Sequence, residues 1–270
     1  DDHGVEGVER QFDSILKGTP GRKLVRKDAK GREIEVLEQE DATASRNLQL
    51  SIDQRIQAVA YRELKKAVLT FGAASGSLVL VDVHTGEVLA MVNSRSYNPN
   101  NRKNTAIHRF RNRAITDTFE PGSTIKPLPV LAALENGTAD LNTVIPTGYG
   151  AMMVGGRRVQ DTNGYGDLDL TGVIRKSSNI GVTKLALGMP HADLLDMYYE
   201  MGMGSETGLG LIGESAGMLR ERARWSDHER ATLSFGYGLS VTAVQLAKMY
   251  SAIANGGVVR PLTLLKTEQP

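Results

Sequence analysis

Two apolar runs, Ser77 to Val83 and Glu87 to Val92, are separated only by His84-Thr85-Gly86. A link that short, with glycine at the turn, reads as an antiparallel hairpin. Two strands alone do not stand in water, so the hairpin needs cover. Upstream, Ile56, Val59, Ala60, Leu64, Ala67 and Val68 recur at helical spacing behind Asp53, a good N-cap, with Arg55, Arg62, Glu63, Lys65 and Lys66 opposite. The pattern predicts an amphipathic helix laid on a small sheet, after a strand through Leu48, Leu50 and Ile52. Beyond the polar loop Asn98 to Asn104, helical runs (Val182 to Leu187, Leu194 to Tyr199, Val241 to Ile253) alternate with glycine-rich turns, so the class is α+β.

The first fifty residues have a different texture. Between residues 22 and 40 the apolar positions are Leu24, Val25, Ile34, Val36 and Leu37, around a turn at Asp28-Ala29-Lys30-Gly31. This predicts a charged, thinly buried hairpin. Its basic run, Arg22, Lys23, Arg26, Lys27, Lys30 and Arg32, is followed at once by Glu33, Glu35, Glu38 and Glu40, which reads as a solvated surface. The change at Asn47 divides the chain into residues 1–46 and residues 47–270.

Composition excludes several functions. With 32 Lys+Arg against 31 Asp+Glu, the net charge of +1 gives no global pull toward nucleic acid or an anionic membrane. No cysteine is present, so thiolate zinc sites, disulfides and cysteine nucleophiles fall away together. His3, His84, His108, His191 and His228 are scattered, and His228-Glu229 lacks the second histidine of a zinc-protease helix, so no metal is expected. The glycine-rich stretch Gly202 to Gly213 has no Gly-Lys-Ser/Thr, and no cofactor is expected. No apolar run reaches a membrane span, and there is neither a signal peptide nor an initiator Met, which together fit excision from a longer chain.

The sharpest local feature is Phe119-Glu120-Pro121-Gly122-Ser123-Thr124-Ile125-Lys126-Pro127. Residues three apart share a helix face, which sets Ser123 beside Lys126. A serine hydroxyl attacks only when something takes its proton, and lysine serves when burial and a helix dipole lower its pKa. Pro127 has no backbone N–H, so the turn is expected to be tight or irregular. A second feature, Lys176-Ser177-Ser178-Asn179-Ile180-Gly181, sets Ser177 and Asn179 two apart on a loop, able to point into one cleft. Taken singly, each motif also fits an ordinary helix start.

Ser-x-x-Lys followed some fifty residues later by Ser-x-Asn resembles the order in penicillin-binding proteins and serine β-lactamases. Gly4 to Glu9, Tyr97-Asn98-Pro99-Asn100, Arg111-Asn112-Arg113-Ala114 and Phe235-Gly236-Tyr237-Gly238-Leu239-Ser240-Val241-Thr242 extend the resemblance to class B penicillin-binding proteins, in detail the septal type of Gram-negative bacteria. The resemblance implies part of a penicillin-binding-protein/β-lactamase-like transpeptidase domain over residues 47–270, joined to the end of a small β-rich pedestal over residues 1–46. It implies a bitopic protein on the periplasmic face of the inner membrane, anchored by a helix outside this chain. Its implied partners are peptidoglycan stem peptides, β-lactam antibiotics, a septal glycosyltransferase and other division proteins.

Carried over by motif, Ser123 is the nucleophile acylated by a D-Ala-D-Ala terminus and Lys126 its base. Ser177 relays a proton to the leaving D-Ala, Asn179 binds the substrate amide, and Phe235 and Tyr237 wall the acyl pocket. The backbone N–H of Ser123 supplies one oxyanion donor. For Phe235 and Tyr237 a plain core role competes. The family's third motif, Lys-Thr/Ser-Gly, is missing: the nearest remaining string, Lys266-Thr267-Glu268, has Glu in place of Gly, so the expectation is a fragment whose third motif lies past Pro270.

Two rivals remain. A class A β-lactamase needs a glutamate in Glu-x-x-Leu-Asn, and the sole Leu-Asn here, Leu141-Asn142, has Thr138 at that position, which argues against it; a D,D-carboxypeptidase belongs to the same superfamily. The other rival is a non-catalytic interaction fragment that docks through residues 1–46.

Overall fold

A computed structural model describes residues 3–220 and 224–267. Two short helices, α1 (Gly7–Gln11) and α2 (Asp13–Lys17), lead into the hairpin of β1 (Arg22–Lys27) and β2 (Glu33–Glu40), paired Arg22 to Glu40 through Lys27 to Glu33. Every residue of β2 is exposed, and the hairpin is laced by cross-strand pairs such as Lys23–Glu33 and Arg26–Glu35, both 2.8 Å. Exposed pairs of this kind hold little energy. What ties the amino-terminal segment to the rest is Val8, packed into a core cluster with Val88, Ile115 and Leu211, and Glu6, which accepts from Arg102 and Tyr97.

The expected helix is α3 (Gln54–Thr70), capped by Asp53, whose side chain accepts from the N–H groups of Arg55 and Ile56. It crosses the hairpin of β3 (Gly76–Val81) and β4 (Val88–Ser94), packing Ala60, with Ile56 and Leu64, on Ala90 and Val92. Val59, placed on the apolar face from its spacing, is 49% exposed, because the buried stripe is narrower than the apolar one. The strand expected through Leu48 to Ile52 is reduced to one isolated bridge, Leu50 to Leu265. There the 263–266 segment bonds on both sides, with Ser51 and Lys266 N–H groups bridging to Leu264 and Gln49, and Val88 N–H to the Thr263 carbonyl.

The segment is fixed by a buried carboxylate. Glu87, 2% exposed, takes the Lys266 amine at 2.6 Å on one oxygen and the N–H and hydroxyl of Thr267, each at 2.7 Å, on the other. Lys266 and Thr267 are therefore engaged at the β3–β4 turn; Glu268 lies outside the described residues.

A one-turn helix, α4 (Arg113–Thr116), and a 3-10 turn at Gly122–Ile125 precede α5 (Pro127–Glu135). Two small antiparallel sheets follow, β5 (Val144–Gly148) with β8 (Gly166–Asp169), and β6 (Ala151–Val154) with β7 (Arg157–Gln160). The sequence reading passed over these strands: they are four or five residues long and half exposed, too short for a period to register. The remaining helices are α6 (Leu170–Lys176), α7 (Asn179–Gly188), α8 (His191–Glu200), α9 (Asp227–Ser234) and α10 (Ala243–Ala254). Ile125 and Leu128 from the 3-10 turn and α5 meet Val182, Leu194, Tyr198 and Met249 in the main core. Buried Tyr198 donates to the Leu233 carbonyl at 3.0 Å. The glycine-rich stretch after α8 is a structural coil held by buried Gln245, whose amide donates to the carbonyls of Gly202, Ser205 and Ala216. Among the described residues no helix is long and apolar enough to cross a membrane.

Candidate active site

The Ser-x-x-Lys stretch does not form the first turn of a regular helix. Gly122 to Ile125 make a 3-10 turn, Lys126 is the junction, and the α-helix starts only at Pro127, the residue whose missing N–H suits a first helical position. Lys126 N–H still reaches back to the Ser123 carbonyl at 3.4 Å. The result is an exposed Ser123 three residues before a lysine that is 2% exposed.

Lys126 Nζ donates to the Ser177 hydroxyl at 2.8 Å and to the Ser177 carbonyl. The Lys126 amine thus hydrogen-bonds Ser177 and not Ser123, and the turn expected to be tight or irregular is a 3-10 turn. The two motifs are brought together nonetheless. Burial lowers the Lys126 pKa from 10.5 to about 8, against a pull the other way from the charge of Asp161.

Ser177 caps α6 in the left-handed region, φ 53° and ψ 46°. A residue with a Cβ pays about 1–2 kcal/mol there, so the surroundings must hold it. Ser177 and Ser178 N–H groups close the end of α6 onto Ile174 and Val173. Buried Ser178 then caps α7, its hydroxyl accepting from Gly181 N–H at 2.8 Å. Asn179 begins α7, and its side-chain amide donates to the Gln160 carbonyl at 2.9 Å.

The residue that sequence reasoning missed is Asp161, in the loop between β7 and β8. It accepts from the Ser178 hydroxyl at 2.6 Å, Asn179 N–H at 2.6 Å and Ile180 N–H at 3.1 Å. Its separation of 17 residues from Ser178 belongs to no short motif. The faint signal available was an acidic residue in a polar turn, Asp161-Thr162-Asn163-Gly164, shortly before a Ser-Ser-Asn helix start.

The Phe235 to Thr242 stretch lies against the turn that carries Ser123. Phe119 and Val241 exchange backbone hydrogen bonds at 3.0 and 2.9 Å, and Gly122 N–H donates to Gly236 at 3.0 Å. Gly236 has φ 92°, and a Cβ on it would lie 2.0 Å from the Gly122 carbonyl oxygen, so only glycine lets this loop lie against the nucleophile turn. Glu120 accepts from Gly238 N–H at 3.0 Å, and Tyr250 on α10 donates to the Thr124 carbonyl at 2.7 Å. Phe235 and Tyr237 meet edge to face at 5.9 Å. Phe235 packs into two core clusters, whereas Tyr237 is 50% exposed.

An exposed serine three residues from a desolvated lysine, with a second serine bonded to that lysine, is an arrangement that suits acyl transfer by a serine nucleophile. The comparisons agree. Residues 76–270 match the Penicillin binding protein transpeptidase domain, and residues 1–50 match the Penicillin-binding Protein dimerisation domain. The chain belongs to the penicillin-binding protein transpeptidase family. It is 53% identical over 270 residues to the peptidoglycan D,D-transpeptidase FtsI of Escherichia coli (strain K12), covering 100% of this chain and 46% of that protein. It is 40% identical to the probable peptidoglycan D,D-transpeptidase PenA of Neisseria gonorrhoeae over 269 residues, 98% of this chain and 46% of that one. The transpeptidase domain of Burkholderia pseudomallei penicillin-binding protein 3 superposes with a TM-score of 0.74 at 43% identity, over 82% of this chain and 62% of that one. The chain spans about half the length of the curated relatives it matches.

Proposed function

We propose that the protein containing this chain is a peptidoglycan D,D-transpeptidase that cross-links stem peptides through an acyl-enzyme on Ser123. The observation that carries the reading is the contact of buried Lys126 with Ser177, which joins the Ser-x-x-Lys turn of exposed Ser123 to the Ser-x-Asn segment. In the neutral form Lys126 takes the Ser123 proton as the serine oxygen bonds to the penultimate D-Ala carbonyl carbon. The proton then travels from Lys126 Nζ through the Ser177 hydroxyl, 2.8 Å away, to the departing D-Ala nitrogen as the peptide bond breaks. An amine of a neighbouring stem peptide attacks the acyl-serine, forms the new amide and returns the serine. Asn179 faces the substrate amide, and Phe235 and Tyr237 flank the acyl side chain. β-Lactams enter the same step as substrates whose acyl-enzyme persists.

Residues 1–46 are the end of a pedestal and residues 47–270 the beginning of the transpeptidase domain. The septal setting, the periplasmic location with an anchoring helix elsewhere, and association with a septal glycosyltransferase and other division proteins are supported by likeness to the Escherichia coli protein over this whole chain. A D-Ala release assay on a pentapeptide substrate tests the reading. The intact protein releases D-Ala and transfers the acyl group to an added amine, and Ser123→Ala does neither; release that survives the substitution would overturn it.

A further inference from the structure

The Ser177 to Asn179 segment is held from outside its own motif. Helix α7 opens with three N–H groups that have no partner within the helix, and all are satisfied: Ser178 takes that of Gly181, and Asp161 takes those of Asn179 and Ile180 on a single oxygen. The second Asp161 oxygen accepts the Ser178 hydroxyl at 2.6 Å. Asp161 itself is anchored by its N–H to the Gly150 carbonyl at 3.0 Å. One carboxylate thereby clamps residues 178, 179 and 180 while the end of α6 clamps residues 177 and 178. Ser177 is left with one way to lie, the left-handed conformation that turns both its hydroxyl and its carbonyl onto Lys126 Nζ.

The same carboxylate sets the charge that Lys126 faces. The elements that meet Lys126 and Ser177 carry the titratable groups Glu120 before the turn, Tyr250 on α10, which bonds the turn at Thr124, Lys176 beside Ser177, and Tyr165 and Asp161 in the β7–β8 loop. Glu120 is engaged with Gly238 N–H, Tyr250 with the Thr124 carbonyl, and Lys176 lies over the Tyr165 ring at 5.6 Å. Among the described residues, Asp161 is the charged group that acts on Lys126, and it favours the protonated amine.

We propose that Asp161 is a positioning residue of the acylation site, holding Ser177 against Lys126 and supplying the negative charge opposite the lysine. The inference rests on the reading of Ser123 as the acylated residue. Two substitutions separate the parts. In Asp161→Asn the side-chain carbonyl can still accept from Asn179 and Ile180 N–H, so the loop stays while the charge goes; Asp161→Ala removes both.

The test is the second-order rate of acylation of the intact protein by a fluorescent penicillin, measured from pH 6 to 10, beside Ser123→Ala. Asp161→Asn should keep the shape of the profile and move its apparent pKa down, since the carboxylate charge favours the protonated amine and the amide carries none. Asp161→Ala should acylate about 10- to 100-fold more slowly at every pH, the size of effect that misplacing a catalytic group carries. Parent-like profiles for both variants would overturn the inference. If Asp161→Ala does not fold, the Asp161→Asn profile decides alone, and an unshifted profile overturns it. Label that survives Ser123→Ala sinks the acylation reading itself, while its loss alongside parent-like Asp161 variants sinks only this inference.

Discussion

Lys126 Nζ donates to the hydroxyl of Ser177 at 2.8 Å, a contact between residues 51 apart in the chain. The Ser-x-x-Lys lysine is therefore coupled first to the Ser-x-Asn serine, and Ser123, three residues before the lysine, is exposed. Removing the Ser177 hydroxyl leaves Nζ only the carbonyl and interrupts the proton route to the leaving group. Ser177→Ala should slow acylation by about 10²-fold or more, the usual scale of general acid–base catalysis, with the melting temperature almost unchanged. Pre-steady-state labelling beside a thermal melt checks both halves.

The acylation rate should depend on pH through Lys126. Burial holds its pKa near 8, below the ordinary 10.5, and in the proposed mechanism the neutral amine is the base. The rate should climb with pH and level off above about 8. For stability the sign follows from linkage: with a depressed folded-state value, the unfolded chain binds more protons between about 8 and 10.5, so the Lys126 contribution rises with pH across that window. Lys126→Met should flatten the rate profile and remove that rise, as read by denaturant titration at pH 7 and pH 10.

Gly236 and Gly238 give a matched pair. Both have positive φ, 92° and 80°, but a Cβ on Gly236 strikes the Gly122 carbonyl while one on Gly238 meets nothing within 4 Å. Gly238→Ala should cost about 1 kcal/mol from conformation alone. Gly236→Ala should cost about 1–3 kcal/mol more through overpacking, and should also slow acylation because the displaced neighbour is the nucleophile turn. Melting temperatures and labelling rates of the two variants measure the difference.

Glu87 should make the 263–267 segment acid-sensitive. Burial pushes its carboxyl up, but the bonds from Lys266 and Thr267 outweigh that and hold it below the usual carboxylate range. A depressed folded-state value stabilises above the unfolded pKa and is lost as pH falls through the folded one. Amide exchange of Thr263 and Lys266 should accelerate below about pH 4, the ordinary glutamate range. Glu87→Gln should show the faster exchange already at pH 7.

What was legible in the chain was local. The hairpin around Gly86, the Asp53 cap of α3, and the helices after Ser178 and Thr242 follow from turn residues, capping chemistry and apolar period, which act within a few residues. Both active-site motifs were also legible, because each is short. Their contact was not. Pro127 announced an irregular turn, but that the buried Lys126 amine reaches Ser177, 51 residues on, shows only in the folded chain.

The same distinction explains Asp161 and Glu87. Asp161 is an acidic residue in a polar turn and Glu87 one at the head of an apolar run, and nothing nearby in sequence distinguishes either from a solvated carboxylate. Their partners lie 17 and 179 residues away, and only the folded chain brings them into range. Leu48 to Ile52 fails in the opposite sense: the alternation is present, but the neighbouring segment pairs at a single bridge and leaves no ladder.

The central claim is that Ser123 forms the acyl bond. Incubation of the intact protein with a penicillin, proteolysis and mass mapping of the adduct test it most directly. One added penicilloyl group is expected on the peptide that carries Ser123, and none in Ser123→Ala. An adduct on any other residue, or one that persists in Ser123→Ala, would contradict it.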